Sequence, residues 1–92
     1  MRCVRVEIQG RVQGVWYRGW TVQEAGKRGL DGWVRNRRDG SVEAVFSGPS
    51  EDVAAMIAAC RTGPPMARVE DIRVMEDEPL PAQAGFASRA TA

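Results

Sequence analysis

Val4-Arg5-Val6-Glu7-Ile8-Gln9-Gly10-Arg11-Val12-Gln13-Gly14-Val15-Trp16-Tyr17-Arg18 is the stretch that decides the fold. Its first half alternates Val4, Val6 and Ile8 with Arg5, Glu7 and Gln9, a period of two that predicts a strand with one buried face, ending at Gly10. After a loop from Gly10 to about Tyr17, the segment Arg18 to Arg28 lacks proline, sets Val22 and Ala25 on one face and closes in Lys27-Arg28-Gly29, a helix stop.

Beyond this unit the pattern continues in short pieces. Leu30, Gly32 and Val34 alternate with Asp31, Trp33 and Arg35; Asp39-Gly40 supplies a tight turn; and Val42, Ala44 and Phe46 alternate with Glu43 and Val45, which predicts a hairpin. Ser50 is expected to cap a second helix whose apolar face is Val53, Met56, Ile57 and Cys60, at i, i+3, i+4 and i+7. A fourth strand is expected from about Ala67 to Met75, and because Val69 is out of step with Ile72 and Val74, a bulge is placed near Glu70-Asp71. Gly85-Phe86-Ala87-Ser88-Arg89 offers a short last strand of weak strand formers.

The predicted order is an α+β, ferredoxin-like two-layer sandwich, β-α-β-β-α-β, with an antiparallel sheet and both helices on one face. One domain is expected over residues 1–92, ordered from 1 to 89, with 90–92 as a frayed tail.

Composition excludes several function classes. Thirteen basic and 12 acidic residues leave a net charge of +1, so there is no bulk attraction to nucleic acid or to an anionic membrane. The chain has no histidine, which removes Ser-His-Asp and Cys-His catalysis and His-based zinc or haem sites. Cys3 and Cys60 are too few for a disulfide framework and are expected as free thiols. With no signal-like or membrane-spanning apolar run in these residues, a cytoplasmic location is expected, and a monomer is the default.

The Gly10–Arg18 loop joins a strand to a helix, where glycines permit tight backbone and amide hydrogens converge near a positive helix end. It is neither a Walker loop nor a dinucleotide fingerprint, so ATP and NAD are not expected. The residues alone leave two readings of Arg18: an anion ligand, or a solvated or salt-bridged helix-start residue. Asn36, just before a turn, is equally read as turn chemistry.

Ile8-Gln9-Gly10-Arg11-Val12-Gln13-Gly14-Val15-Trp16-Tyr17-Arg18 resembles the phosphate-loop signature of the acylphosphatase family, and Gly32-Trp33-Val34-Arg35-Asn36, followed by Gly40-Ser41-Val42 and Gly48, resembles its second signature. The resemblance extends through the second helix and Gly63-Pro64-Pro65. It implies a ferredoxin-like hydrolase of small-molecule acyl phosphates, without metal or cofactor. Arg18 would bind the phosphoryl group with backbone amides of Arg11, Val12, Gln13, Gly14, Val15, Trp16 and Tyr17, while Asn36 would orient the attacking water. Three positions depart from the family: Tyr17 replaces a phenylalanine, Arg37 stands where a smaller residue is usual, and Phe86-Ala87-Ser88-Arg89 lacks the larger branched residue before the arginine.

Other features have plainer readings. Trp16, Trp20 and Trp33 are read as packing rather than base-stacking platforms, since the Lys/Arg-Gly-Phe/Tyr pattern of RNA-binding strands is missing. Arg35, Arg37 and Arg38 are read as solvated hairpin charges, with steering of an anionic substrate as the alternative. Glu70, Asp71, Glu76, Asp77 and Glu78 form an acidic edge without calcium-loop spacing. The alternative to an enzyme is a noncatalytic module that binds phosphate or an acyl phosphate through the same loop.

Overall fold

The computed structural model describes residues 1–92. In chain order it contains β1 (Arg2–Arg11), α1 (Tyr17–Lys27), β2 (Asp31–Asn36), β3 (Val42–Gly48), α2 (Ser50–Thr62), β4 (Arg68–Met75) and β5 (Phe86–Ser88). The strands form one sheet in the order β4-β1-β3-β2-β5, with the two helices packed on one face in a ferredoxin-like arrangement. Register aligns Val4 with Phe46, Val6 with Ala44 and Ile8 with Val42, so their side chains make continuous apolar rows beneath the helices. Helix α2 lays Val53, Met56, Ile57 and Cys60 on these rows, and α1 adds Tyr17 and Ala25.

The bulge expected near Glu70-Asp71 is present. Gln9 pairs with Asp71 but Gly10 pairs with Val69, which leaves Glu70 as the extra residue. Gly10 answers it with a φ of +123°, and a Cβ there would collide with the Arg68 carbonyl.

The sheet is mixed rather than antiparallel throughout, because β5 pairs in parallel with β2, Gly32 opposite Phe86 and Val34 opposite Ser88. The reason is topological. Strand β4 occupies one edge, so the chain from Glu76 to Gly85 crosses the helix-free face to the other edge and arrives running with β2. On the way Glu78 meets Arg5 at 3.5 Å and Gly85 accepts the Gly32 N–H at 3.0 Å. Ala87 and Ser88 are weak strand formers, but Phe86 stacks on Phe46 with ring centroids 5.5 Å apart, and packing outweighs propensity. Ala92, in the segment expected to fray, donates its N–H to the Asn36 carbonyl at 3.0 Å and accepts from the Arg38 N–H at 2.9 Å.

The second helix starts differently from expectation. Pro49 is its N-cap and Ser50 its first helical residue, with no side-chain cap; the N–H groups of Asp52 and Val53 instead donate to the Pro49 carbonyl at 3.0 Å.

All seven residues of β3 are buried, although alternation predicts that Glu43 and Val45 face solvent. Three arginines cover them. Glu43 is 3% exposed; its Oε1 accepts from Arg35 Nε at 2.7 Å, and its Oε2 accepts from Arg5 Nη1 at 2.9 Å and Arg37 Nη1 at 3.2 Å. Burial alone pushes this carboxyl upward, but the hydrogen bonds from Arg35 and Arg5 outweigh it and hold it below the usual glutamate range. The readings of Arg35 and Arg37 as solvated hairpin charges give way accordingly: both are half-buried partners of Glu43.

Two stability predictions follow from these contacts. A Cβ at Gly32, φ +140°, would fall on the Val45 carbonyl oxygen, whereas Gly26 is exposed in α1 with open space around it. Gly32→Ala is therefore expected to lose at least about 2 kcal/mol in urea unfolding, and Gly26→Ala to gain about 0.5–1 kcal/mol. Equal effects at the two sites would contradict the register. For Glu43, a folded pKa below the unfolded value of 4.5 gives stability that is present above pH 4.5 and lost as pH falls through the folded value. Glu43→Gln should lower the urea midpoint at neutral pH, and its gap to the unsubstituted protein should narrow between about pH 5 and about pH 3; a constant gap would refute the ion-pair role.

Candidate active site

The loop from Val12 to Trp16 leaves β1 and enters α1 without regular structure, and none of the backbone N–H groups of residues 12–16 donates to another part of the chain. Unpaired amides want an acceptor, and an anion is the acceptor that also suits a helix start. No acidic residue occupies the first turn of α1, so its positive end is uncompensated. Trp16 caps this helix in the left-handed conformation, φ 66° and ψ 23°, which for a bulky residue costs about 1–3 kcal/mol.

Arg18 is the second residue of α1, half-buried, and makes no hydrogen bond or ion pair with any other group. Asn36 is the last residue of β2 and shares the parity of Val34, so its side chain leaves the sheet on the helix side. Its neighbours Arg35 and Arg37 have the opposite parity and go to Glu43 on the other face. Arg37 therefore neither competes with Arg18 nor joins it. The result is one cavity of about 170 Å³ lined by Val12, Gly14, Trp16, Tyr17, Arg18, Gly19 and Asn36.

The loop is held against the hairpin by a side chain whose part the sequence reading assigned only to its backbone. Gln13 Nε2 donates to the Arg37 carbonyl at 2.7 Å and to the Ser41 carbonyl at 2.8 Å. Both donors of one amide are spent on the two residues, Arg37 and Ser41, that flank the turn between β2 and β3. On the hairpin side, Asp39 Oδ1 accepts from the Ser41 N–H at 2.9 Å and from its hydroxyl at 2.6 Å, which fixes the turn.

The side chains of three residues of the expected phosphate loop lie away from the cavity. Arg11 lies in β1 opposite Arg68, Val15 packs against the core, and Gln13 turns its side chain to the hairpin. Gly19 lines the cavity and was missed, its only signal being a glycine directly after the arginine at a helix start.

Tyr17 serves the scaffold. In α2 the Cys60 carbonyl has Pro64 four residues on, which carries no N–H, and the Tyr17 hydroxyl donates to that carbonyl at 2.6 Å instead. The hydroxyl that departs from the family pattern thus has a structural partner. Burial pushes its phenol well above the ordinary range, so it stays a donor. Burial likewise pushes the Cys60 thiol up to about 12, and Cys60 is core rather than nucleophile. Trp20 packs on Tyr17 with ring centroids 5.3 Å apart, and the Trp33 ring has the guanidiniums of Arg35 and Arg89 4.8 and 4.7 Å from its centroid, so both are accounted for by packing.

Comparison with known proteins agrees with this architecture. The chain is 57% identical over 89 residues to an acylphosphatase of Rhodospirillum rubrum, covering 97% of each. Among solved structures it superposes on the acylphosphatase of Bacillus subtilis with a TM-score of 0.92 at 39% identity, covering 97% of this chain and 99% of that one. An acylphosphatase of Coxiella burnetii gives a TM-score of 0.90 at 31% identity, over 96% and 92% of the two chains. The family model described as acylphosphatase matches residues 4–88, and the chain belongs to the acylphosphatase family.

Proposed function

We propose that Arg18 and the free loop amides grip the phosphoryl group of an acyl phosphate while Asn36 presents water to phosphorus, so that the enzyme yields a carboxylate and inorganic phosphate. The observation that carries this division of labour is that Arg18 and Asn36, 18 positions apart in sequence and on different elements, line the same cavity.

The chemistry needs little more. Water oxygen bonds to phosphorus as the bond from phosphorus to the acyl oxygen breaks, and the electron pair leaves with the carboxylate, a weak base that needs no general acid. The transition state is loose, with charge on the three equatorial phosphoryl oxygens, so positioning and fixed positive charge lower the barrier. Arg18 supplies a planar fork of donors, and the amides of residues 12–16 add more without reorganising. Asn36 cannot take a proton at neutral pH. Its carboxamide aligns the water by hydrogen bonding, and a phosphoryl oxygen of the substrate accepts the proton as the new bond forms.

The reaction proceeds without metal on this reading, because Arg18 and the helix end supply the charge a cation would. The enzyme works as a cytoplasmic monomer: Cys3 and Cys60 are unpaired, as suits a reducing compartment, and exposed large apolar side chains are limited to Met1, Trp16, Met66 and Leu80. No helix is long and apolar enough to cross a membrane.

Acetyl phosphate hydrolysis in EDTA tests the roles. Arg18→Gln and Asn36→Ala are each expected to lower kcat/KM about 100-fold or more, with the unfolding midpoint little changed; rates equal to the unsubstituted enzyme would reject them. Gln13 is a positioning residue, and the sign of its substitutions is informative. Gln13→Ala loses two hydrogen bonds, whereas Gln13→Glu sets a carboxylate against two carbonyl oxygens. Gln13→Glu should therefore lower kcat more than Gln13→Ala, and the difference should shrink at a pH low enough to protonate the new carboxyl. The opposite order would refute the clamp.

A further inference from the structure

We propose that Trp16 is the acyl-recognition surface of this enzyme and that its indole selects acyl phosphates with flat apolar acyl groups, aromatic ones above all. The inference rests on the reading that Arg18 and the loop hold the phosphoryl group, and three separate observations carry it further.

The first is position. Trp16 is 58% exposed, yet it lines the same cavity as Arg18 and Asn36. The other exposed large apolar side chains, Met1, Met66 and Leu80, do not border that cavity. A cavity of about 170 Å³ holds a phosphoryl group and the attacking water. The acyl substituent therefore leaves through the mouth, and the indole stands at that mouth.

The second is backbone strain. Only Trp16 and Asp77 adopt positive φ among the residues other than glycine, at 66° and 58°. Aspartate tolerates this region because its short polar side chain bonds locally, but an indole gains nothing there from its own backbone. Glycine would satisfy the turn without strain. The side chain, not the turn, accounts for tryptophan at this position.

The third is the neighbour. A Cβ at Gly19 would collide with the indole, its nearest atoms being Nε1, Cδ1 and Cε2 of Trp16. The ring lies directly over the first turn of α1, beside Arg18, in space that any other residue at position 19 would fill. A ring held there before substrate arrives loses little freedom on binding, so its contact with a bound acyl group is retained as affinity. A benzoyl ring stacks on the open indole face, whereas an acetyl methyl is too small to cover it.

The decisive quantity is the ratio of kcat/KM for benzoyl phosphate to that for acetyl phosphate, measured in Trp16→Gly and Trp16→Phe. Glycine suits the left-handed backbone and removes the ring, so the loop keeps its path. Trp16→Gly is expected to lower the ratio about five- to tenfold, mainly through a higher KM for benzoyl phosphate, and Trp16→Phe to restore most of it. A ratio within about twofold of the unsubstituted enzyme in Trp16→Gly overturns the proposal, including the case in which both substrates fall together. Turnover of acetyl phosphate by the unsubstituted enzyme tests the phosphoryl site separately, so the ratio bears on Trp16 alone.

Discussion

One side-chain amide joins the two halves of the candidate active site. Gln13 sits between the loop that carries the unpaired N–H groups and the hairpin that carries Asn36, and its two donors bond to the Arg37 and Ser41 carbonyls. A loop of five residues with free amides has no internal bonds to fix its shape. Packing of Val12 and Val15 on the core and the two Gln13 hydrogen bonds hold it from outside, and preorganised donors are what a loose phosphoryl transition state requires. The Gln13 anchor works because the hairpin is itself rigid: Asp39 closes the turn, and Glu43 draws Arg35 and Arg37 to the far face of the sheet. Asn36, between those two arginines, is left pointing at the helix side.

Charge is separated across the sheet by the same alternation. On the helix-free face Arg5, Arg35 and Arg37 are neutralised by Glu43 and Glu7, while on the helix face Arg18 stands without a carboxylate partner. A buried carboxylate holding three guanidiniums is a costly arrangement that a well-packed apolar cluster would often match in stability. Here it has a second effect. It keeps Arg35 and Arg37, the arginines on either side of Asn36, occupied on the far face, and leaves Arg18 as the arginine that lines the cavity with Asn36.

Much of this was legible in the residues. The strand-loop-helix at the start, the apolar face of α2 and the bulge at Glu70 all follow from local periodicity, and local periodicity survives folding when one face is buried. Arg18 and Asn36 could be named because two separate motifs pointed to them, though neither motif revealed that they share a cavity. What stayed hidden depends on contacts distant in sequence. Nothing in Phe86-Ala87-Ser88 announces a parallel partner, because the pairing is set by where β4 leaves the chain. Glu43 reads as a surface position until the arginines that cover it are brought together by β1, β2 and the turn. Tyr17 needed the position of Pro64, 47 residues away, before its hydroxyl had a reason.

The central claim is that the amides of residues 12–16, Arg18 and Asn36 form one anion pocket. Titration of the ¹⁵N-labelled protein with inorganic phosphate, followed by amide and side-chain chemical shifts, tests it most directly. The account predicts saturable shifts confined to the 12–19 backbone, the Arg18 guanidinium and the Asn36 carboxamide, with one shared dissociation constant. Shifts centred on Arg35, Arg37 and Trp33 across the sheet, or separate constants for Arg18 and Asn36, would contradict it.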